Sequence, residues 1–303
     1  VSIPPTSFYL RTIVGVPSRH PADSSGGSMD WSRPPAVAGM FYPDQEADLR
    51  REVEGLLAEA EEGEGGLQGE AGMVDPESGP PKAIIAPHAG YIYSGPVAAS
   101  AYHRLLPHSA SIERVILLGP AHRYPVRGLA ASTANIFLTP LGPVPVDMDG
   151  LQLVLEFTQV HLLDEAHEGE HSLEVHLPFL QVVLGDFTLV PLVVGEASSE
   201  EVAEVLRVLW GGSETLVVVS SDLSHFLSYG QAKELDAVTA QAIQNLRPEE
   251  IRFDQACGRM PVGGLLLRAQ EEGLSVECVD LRNSGDTSGL RDRVVGYGSW
   301  VFG

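Results

Sequence analysis

Three short apolar runs each break off into a residue that can bind a metal or carry a proton. Ala83-Ile84-Ile85-Ala86 leads to Pro87-His88-Ala89-Gly90-Tyr91, and Val115-Ile116-Leu117-Leu118 leads to Gly119-Pro120-Ala121-His122. Val217-Val218-Val219 leads to Ser220-Ser221-Asp222-Leu223-Ser224-His225. A lone histidine after a strand is most often a satisfied loop residue. The same ending on three strands points to a shared purpose, because ligands of open α/β sheets bind beyond the carboxyl ends of the strands. Parallel neighbours would bring His88, His122, Asp222 and His225 to one crevice.

Cys257 adds a second kind of donor. It precedes Gly258 and Pro261 at a turn before a helical stretch, where the helix dipole favours a thiolate. Imidazoles with a thiolate suit iron, copper or zinc better than magnesium or calcium. Two imidazoles and one anionic donor leave positions open for water, oxygen or substrate. On sequence alone the anionic donor is Cys257, Asp222 or Glu174. Asp222 and His225 would otherwise orient ligands or exchange protons.

A further polar cluster is Glu170-His171-Ser172-Leu173-Glu174-Val175-His176. His171 and His176 do not share a helix face as an i, i+4 pair would, so the two do not form an H-E-x-x-H zinc pair. His171, just ahead of the helix, reads as a pocket residue. Glu174 and His176 read equally as pocket residues or as polar residues of a helix start, with Ser172 as its cap. Cys278 alternates inside Val276–Val279 and reads as a small apolar residue. His103, His108, His161 and His167 carry no such signal. Nucleophile-elbow, P-loop and dinucleotide fingerprints are absent.

The elements that must position these residues follow from periodicity. Leu49, Val53, Leu56, Leu57 and Ala60 predict a helix over 45–61. Further helices are predicted near 95–106, 148–160, 171–184, 199–210, 231–245 and 261–272. Strands are predicted at 83–86, 115–118, 189–194, 216–219, 276–281 and 294–302. Short apolar strands separated by helices predict an α/β fold: one domain with a central, largely parallel or mixed sheet flanked by helices. That domain is expected over 34–303. Residues 1–33 are expected to be a disordered extension, with 1–28 an added tail or a stretch upstream of a start at Met29. Gly63–Pro81 is acidic and glycine-rich and reads as an exposed loop.

Lys+Arg number 19 and Asp+Glu 41, a formal charge of −22 that repels phosphate backbones and anionic lipid, so neither nucleic acid nor a membrane surface is an expected partner. Two cysteines make no disulfide framework, and a reducing cytoplasm is the expected compartment. No apolar run approaches the roughly 20 residues of a membrane span.

The motifs, taken in order, resemble those of the Memo family. They are Ala38-Gly39-Met40-Phe41-Tyr42-Pro43, Ala86–Tyr91, Gly119–His122, Glu170-His171-Ser172, His176-Leu177-Pro178, Ser220–His225 and Cys257-Gly258-Arg259. Prokaryotic members are often called AmmeMemoRadiSam system protein B. The resemblance implies a fold shared with LigB-type class III extradiol dioxygenases. It implies His88, His122 and Cys257 as metal ligands, with iron first and copper or zinc as alternatives. It also implies Asp222, His225 and His171 lining the same pocket in catalytic roles. The expected function is redox or oxygen-linked chemistry at that metal. Two alternatives stand beside it. One is a non-enzymatic subunit that binds a small molecule or peptide through Tyr91, Tyr93 and His88, working with radical-SAM and AMMECR-type partners. The other is a zinc hydrolase with Asp222 as base.

Overall fold

Runs of Val, Ile and Leu without polar alternation form strands covered on both faces, and these strands make the centre of the molecule. The computed structural model describes residues 31–63 and 79–303. The expected tail before residue 31 and most of the acidic loop lie outside the described residues. In chain order the elements are β1 (Ser32–Arg33), α1 (Glu46–Gly63), β2 (Ala83–Ala86), α2 (Tyr91–His103), β3 (Arg114–Pro120), β4 (Leu129–Ala131), β5 (Ile136–Thr139), β6 (Gly142–Pro145), α3 (Met148–Val154) and β7 (Val160–Leu162). There follow α4 (Glu165–Glu168), α5 (Leu177–Leu184), β8 (Thr188–Val194), α6 (Ser199–Leu209), β9 (Thr215–Ser220), β10 (His225–Leu227), α7 (Tyr229–Gln244), α8 (Arg259–Glu272), β11 (Val276–Asn283), α9 (Ser284–Thr287) and β12 (Val294–Phe302).

The main sheet runs β10-β12-β2-β9-β3-β8-β4-β7, with β11 also paired to β12. β2, β9, β3 and β8 are mutually parallel, and β12 and β4 flank them antiparallel. One helical layer is α1, α2 and α5; α3, α6 and α8 make the other. The expected mixed α/β sheet flanked by helices is therefore present. Helix α6 begins where its sequence says it should, since Ser198 and Glu201 cap each other reciprocally. Among the described residues no helix is long and apolar enough to cross a membrane.

Several expectations are corrected. The 95–106 helix begins earlier, at Tyr91, and ends at His103. The 148–160 helix stops at Val154, because the chain turns into β7. Residues 171–173 precede the helix instead of opening it; the Ser172 hydroxyl donates to the Pro120 carbonyl and caps nothing. β1, β5 and β6 form a separate small sheet that periodicity missed. Ser32 and Arg33, expected within the extension, are strand residues instead: Ser32 pairs with Ile136 and Arg33 with Phe137.

Arg33 is there for an electrostatic reason. It is 2% exposed and its guanidinium pairs with Glu174, which is wholly buried. The Glu174 carboxylate also accepts from the backbone of Ala36 (2.7 Å) and Val37 (2.9 Å) and from the Tyr42 hydroxyl (2.6 Å). Glu174 thus ties down the segment 33–42 and is not a pocket residue. Truncating it strands a buried guanidinium and two backbone N–H groups. Glu174→Ala should cost about 3–5 kcal/mol, read from chemical denaturation. Arg33→Met alone should cost a comparable amount by leaving the carboxylate unpaired.

Candidate metal centre

His88, His122 and Asp222 each stand two positions beyond the last residue of a parallel strand, after Ala86, Pro120 and Ser220. Because β9 lies between β2 and β3, the three strand ends deliver their residues to one spot. The imidazole centres of His88 and His122 are 5.1 Å apart. Cys257 reaches the same spot from the turn before α8, with Sγ 3.4 Å from His88 Nε2. One ligand atom from each of His88, His122 and Cys257 lies within 4.8 Å of the others.

Hydrogen bonding sets which nitrogen of each imidazole is free. Ser220 Oγ donates its single proton to the Ser172 carbonyl at 2.6 Å. It can therefore only accept from His88 Nδ1, 2.5 Å away, so His88 carries its proton on Nδ1 and a lone pair on Nε2. His122 Nδ1 lies 3.0 Å from a Glu170 carboxylate oxygen. Burial pushes Glu170 up, but donors from His122 and Ser172 outweigh it and hold the carboxyl near 2. The carboxylate accepts only, so His122 too offers Nε2. This is the carboxylate–histidine arrangement that orients metal ligands. Burial, reinforced by the neighbouring histidines, pushes His88 well below the usual imidazole range, leaving it a neutral donor.

Two glycines permit the close approach. A Cβ on Gly258 would lie 2.5 Å from the Ser220 carbonyl oxygen, and one on Gly119 would lie 2.8 Å from Ser172 Oγ. With hydrogen there instead, the Cys257 turn seats on the end of β9. Gly258 N–H donates to Ser221 Oγ at 3.0 Å, and Cys257 N–H to the Asp222 carbonyl at 3.2 Å. Burial, then the Asp222 charge, push the Cys257 thiol well up. A cation bound here would have to displace that proton, so affinity would rise with pH.

Asp222 is buried; one carboxylate oxygen accepts from His88 N–H at 2.8 Å and the other lies 4.0 Å from His88 Nε2. Burial raises its carboxyl to about 6 against the pull of those donors. The His171 ring stacks on His122 with centres 4.8 Å apart and meets Phe41 at a tilt, also at 4.8 Å. Burial, offset in part by Glu170, lowers it to about 4. His225, exposed on the edge strand β10, donates from Nδ1 to the Leu223 carbonyl at 2.8 Å and is not among the clustered ligand atoms, though its charge acts on His88 and Asp222. A cavity of about 650 Å³ adjoins the cluster, lined by Asp222 and His171 and by Phe41, Tyr93, Tyr297 and Arg293.

The sequence profile of the Memo family, Memo-like protein, matches residues 33–301. The chain belongs to the Memo family. A MEMO1 family protein of Aquifex aeolicus is 33% identical over 282 residues, 89% of this chain and 98% of that one. Counterparts in Aeropyrum pernix and Sulfolobus acidocaldarius are each 36% identical, covering 88% and 89% of this chain and 97% and 99% of theirs. Among solved structures, uncharacterized protein JW3007 of Escherichia coli K12 aligns with a TM-score of 0.50 at 13% identity, covering 73% of this chain and 99% of that one. That likeness concerns the fold alone.

Of the residues expected in this Memo site, His88, His122, Cys257, Asp222 and His171 are brought together. Glu174 is elsewhere, held by Arg33, and is no alternative donor. His176 is buried against the Tyr102 hydroxyl at 2.9 Å, away from the cavity walls. Tyr91 is buried, donating to the Val175 carbonyl, so Tyr93 alone of the two tyrosines is presented. Sequence reasoning assigned no role to Glu170 or Ser220, although both sit inside quoted motifs; an acidic or hydroxyl residue beside a ligand histidine was the available signal.

The loop carrying Asp222 and His225 is itself pinned. Asp236 on α7 is buried and accepts from Ser224 N–H at 3.0 Å. Burial raises its carboxyl from 3.8 to about 6, against the pull of Ser224 and the His225 charge. The folded state therefore holds this proton more tightly than the unfolded chain. Its contribution to stability is complete below pH 4 and is lost as pH rises through 6. Asp236→Asn keeps the acceptor and removes the titration. The stability of the variant relative to wild type should improve by up to about 3 kcal/mol between pH 4 and 7, measured by denaturation at each pH.

Proposed function

We propose that His88, His122 and Cys257 hold a redox-active metal, iron foremost and copper next, and that the protein carries out redox or oxygen-linked chemistry on a ligand in the adjoining cavity. The observation that carries this reading is the pair of fixed tautomers. Ser220 and Glu170 turn the Nε2 lone pairs of both imidazoles free, and the thiol lies beside them. A hydrolytic acid–base site would not require both imidazoles to be locked in this way. Iron or copper, when bound, supplies one-electron chemistry and affinity for oxygen. The chain's own residues do the rest. Asp222 presents a carboxyl oxygen beside the cluster, able to hold or release a proton at a ligand. His171 and Phe41 cover the His122 side, and Glu170 keeps His122 in register. Zinc fits the same donors, and with zinc Asp222 would serve as a base for water.

Both cysteines are free thiols, in keeping with a reducing compartment, and we assign the protein to the cytoplasm. Radical-SAM and AMMECR-type proteins are proposed as functional partners on family resemblance alone.

Elemental analysis of protein purified without oxygen and without added metal tests the centre. Near-stoichiometric iron or copper is expected in the wild type and should be lost in His122→Ala and Cys257→Ser, both folded by circular dichroism. Zinc instead would turn the reading to hydrolysis, and a folded wild type that takes up no metal would leave a ligand-binding subunit. Glu170→Gln should retain the fold and weaken metal affinity about 10–100-fold in a competition titration, because His122 loses its charged partner and an amide offers one acceptor oxygen where the carboxylate offers two.

A further inference from the structure

Ser220 and Ser221 are adjacent hydroxyls at the carboxyl end of β9, and both are buried. Ser220 fixes the tautomer of His88. Ser221 has different partners. Its Oγ donates its one proton to the Asp222 carbonyl at 2.8 Å and accepts from Gly258 N–H at 3.0 Å. The same Asp222 carbonyl accepts from Cys257 N–H at 3.2 Å. One buried hydroxyl therefore closes the seam between the strand-end loop and the turn that carries the thiol.

A further contact of this seam reaches the sulfur itself. Asp222 N–H donates to Cys257 Sγ at 3.3 Å. The thiol proton has two acceptors near it, His88 Nε2 at 3.4 Å and the Asp222 carbonyl at 3.6 Å. Once that proton is lost to a metal, the Asp222 N–H faces a charged sulfur. A hydrogen bond to an ionised acceptor is roughly twice as strong as a neutral one. Hydrogen bonds to a ligating sulfur draw electron density from it and so tune the metal's potential and spectrum.

We infer that Ser221 is the positioning residue of the thiol ligand. By tying Gly258 N–H to the Asp222 carbonyl it holds Cys257 Sγ against Asp222 N–H and beside His88 Nε2. Consecutive hydroxyls of one strand end then serve two ligands, Ser220 the imidazole and Ser221 the thiol. Ser221 does not line the cavity, so its effect passes through Cys257. The inference rests on the metal-centre reading and adds to it a control on how strongly the sulfur donates.

Titration of the metal-free full chain with cobalt(II) tests it, because a thiolate on cobalt gives a charge-transfer band in the near ultraviolet. The wild type should show that band and Cys257→Ser should not. Ser221→Ala, folded by circular dichroism, should bind cobalt about 10–100-fold more weakly. Its band should move to longer wavelength, as the sulfur loses its N–H donor. Ser220→Ala should weaken binding without moving the band, since it acts on His88. Amide hydrogen exchange gives a readout that needs no metal. The Cys257 and Gly258 amides should exchange roughly 10-fold or more faster in Ser221→Ala than in wild type or Ser220→Ala. An unmoved band in Ser221→Ala, an equal shift in Ser220→Ala, or no faster exchange in Ser221→Ala would overturn the inference. Failure of the metal reading looks different: no Cys257-dependent band in the wild type, with amide exchange alone then deciding whether Ser221 holds the turn.

Discussion

Parallel pairing of β2, β9 and β3 is the constraint from which the site follows. The three strands are buried on both faces, so they cannot slide without exposing apolar side chains or breaking a continuous ladder. Ala86 pairs with Ser220, and Leu118 with Val219, which holds the ends of the strands nearly level. Each chain must then leave the sheet at the same edge. A polar residue two positions on has only the space above that edge to occupy. Convergence of His88, His122 and Asp222 is thus a property of the sheet, and the side chains add orientation to a position already decided.

Orientation comes from a second set of interactions that cross between elements. Ser172 accepts from Ser220, Ser220 accepts from His88, and Glu170 gathers His122, His171 and Ser172 onto one carboxylate. The loop 170–172 therefore reaches both imidazoles. That loop is in turn anchored by the Glu174 knot a few residues on, which also fixes the segment leading to Phe41. Removal of Arg33 or Tyr42 would be felt first as lost stability and only then as a disordered wall of the cavity. The polar groups at the base of this fold are costly to bury singly and are retained as connected sets.

Most of the sheet was legible because its central strands are short apolar runs dominated by Val, Ile and Leu, with Pro191 the one break inside β8. β4, β7 and β10 were not, at three residues each. β6 was hidden by Pro143 and Pro145, which argue against a strand until its edge position is known. In the site, the cluster of His88, His122 and Cys257 was legible as a family pattern, and its strand-end placement as physics. Glu170 was not, since a glutamate before a helix looks the same whether it caps, solvates or orients an imidazole. Nor was the removal of Glu174 from the site, because its partner Arg33 fell in a stretch expected to be unstructured.

Arg293 illustrates a kind of information that sequence carries only in aggregate. A charge of −22 makes the average environment of any arginine acidic, and ion pairs are the outcome at most positions. An arginine that escapes pairing does so because geometry withholds carboxylates from it. Here the withholding is local: Asp292 lines the same cavity, yet the Arg293 guanidinium lies over the Phe226 ring. A formal charge of −22 repels anions over the surface at large, and an arginine without a carboxylate is a local exception to that field. Global charge and local geometry therefore act together, the first by making ion pairs the rule for arginines and the second by deciding where that rule fails.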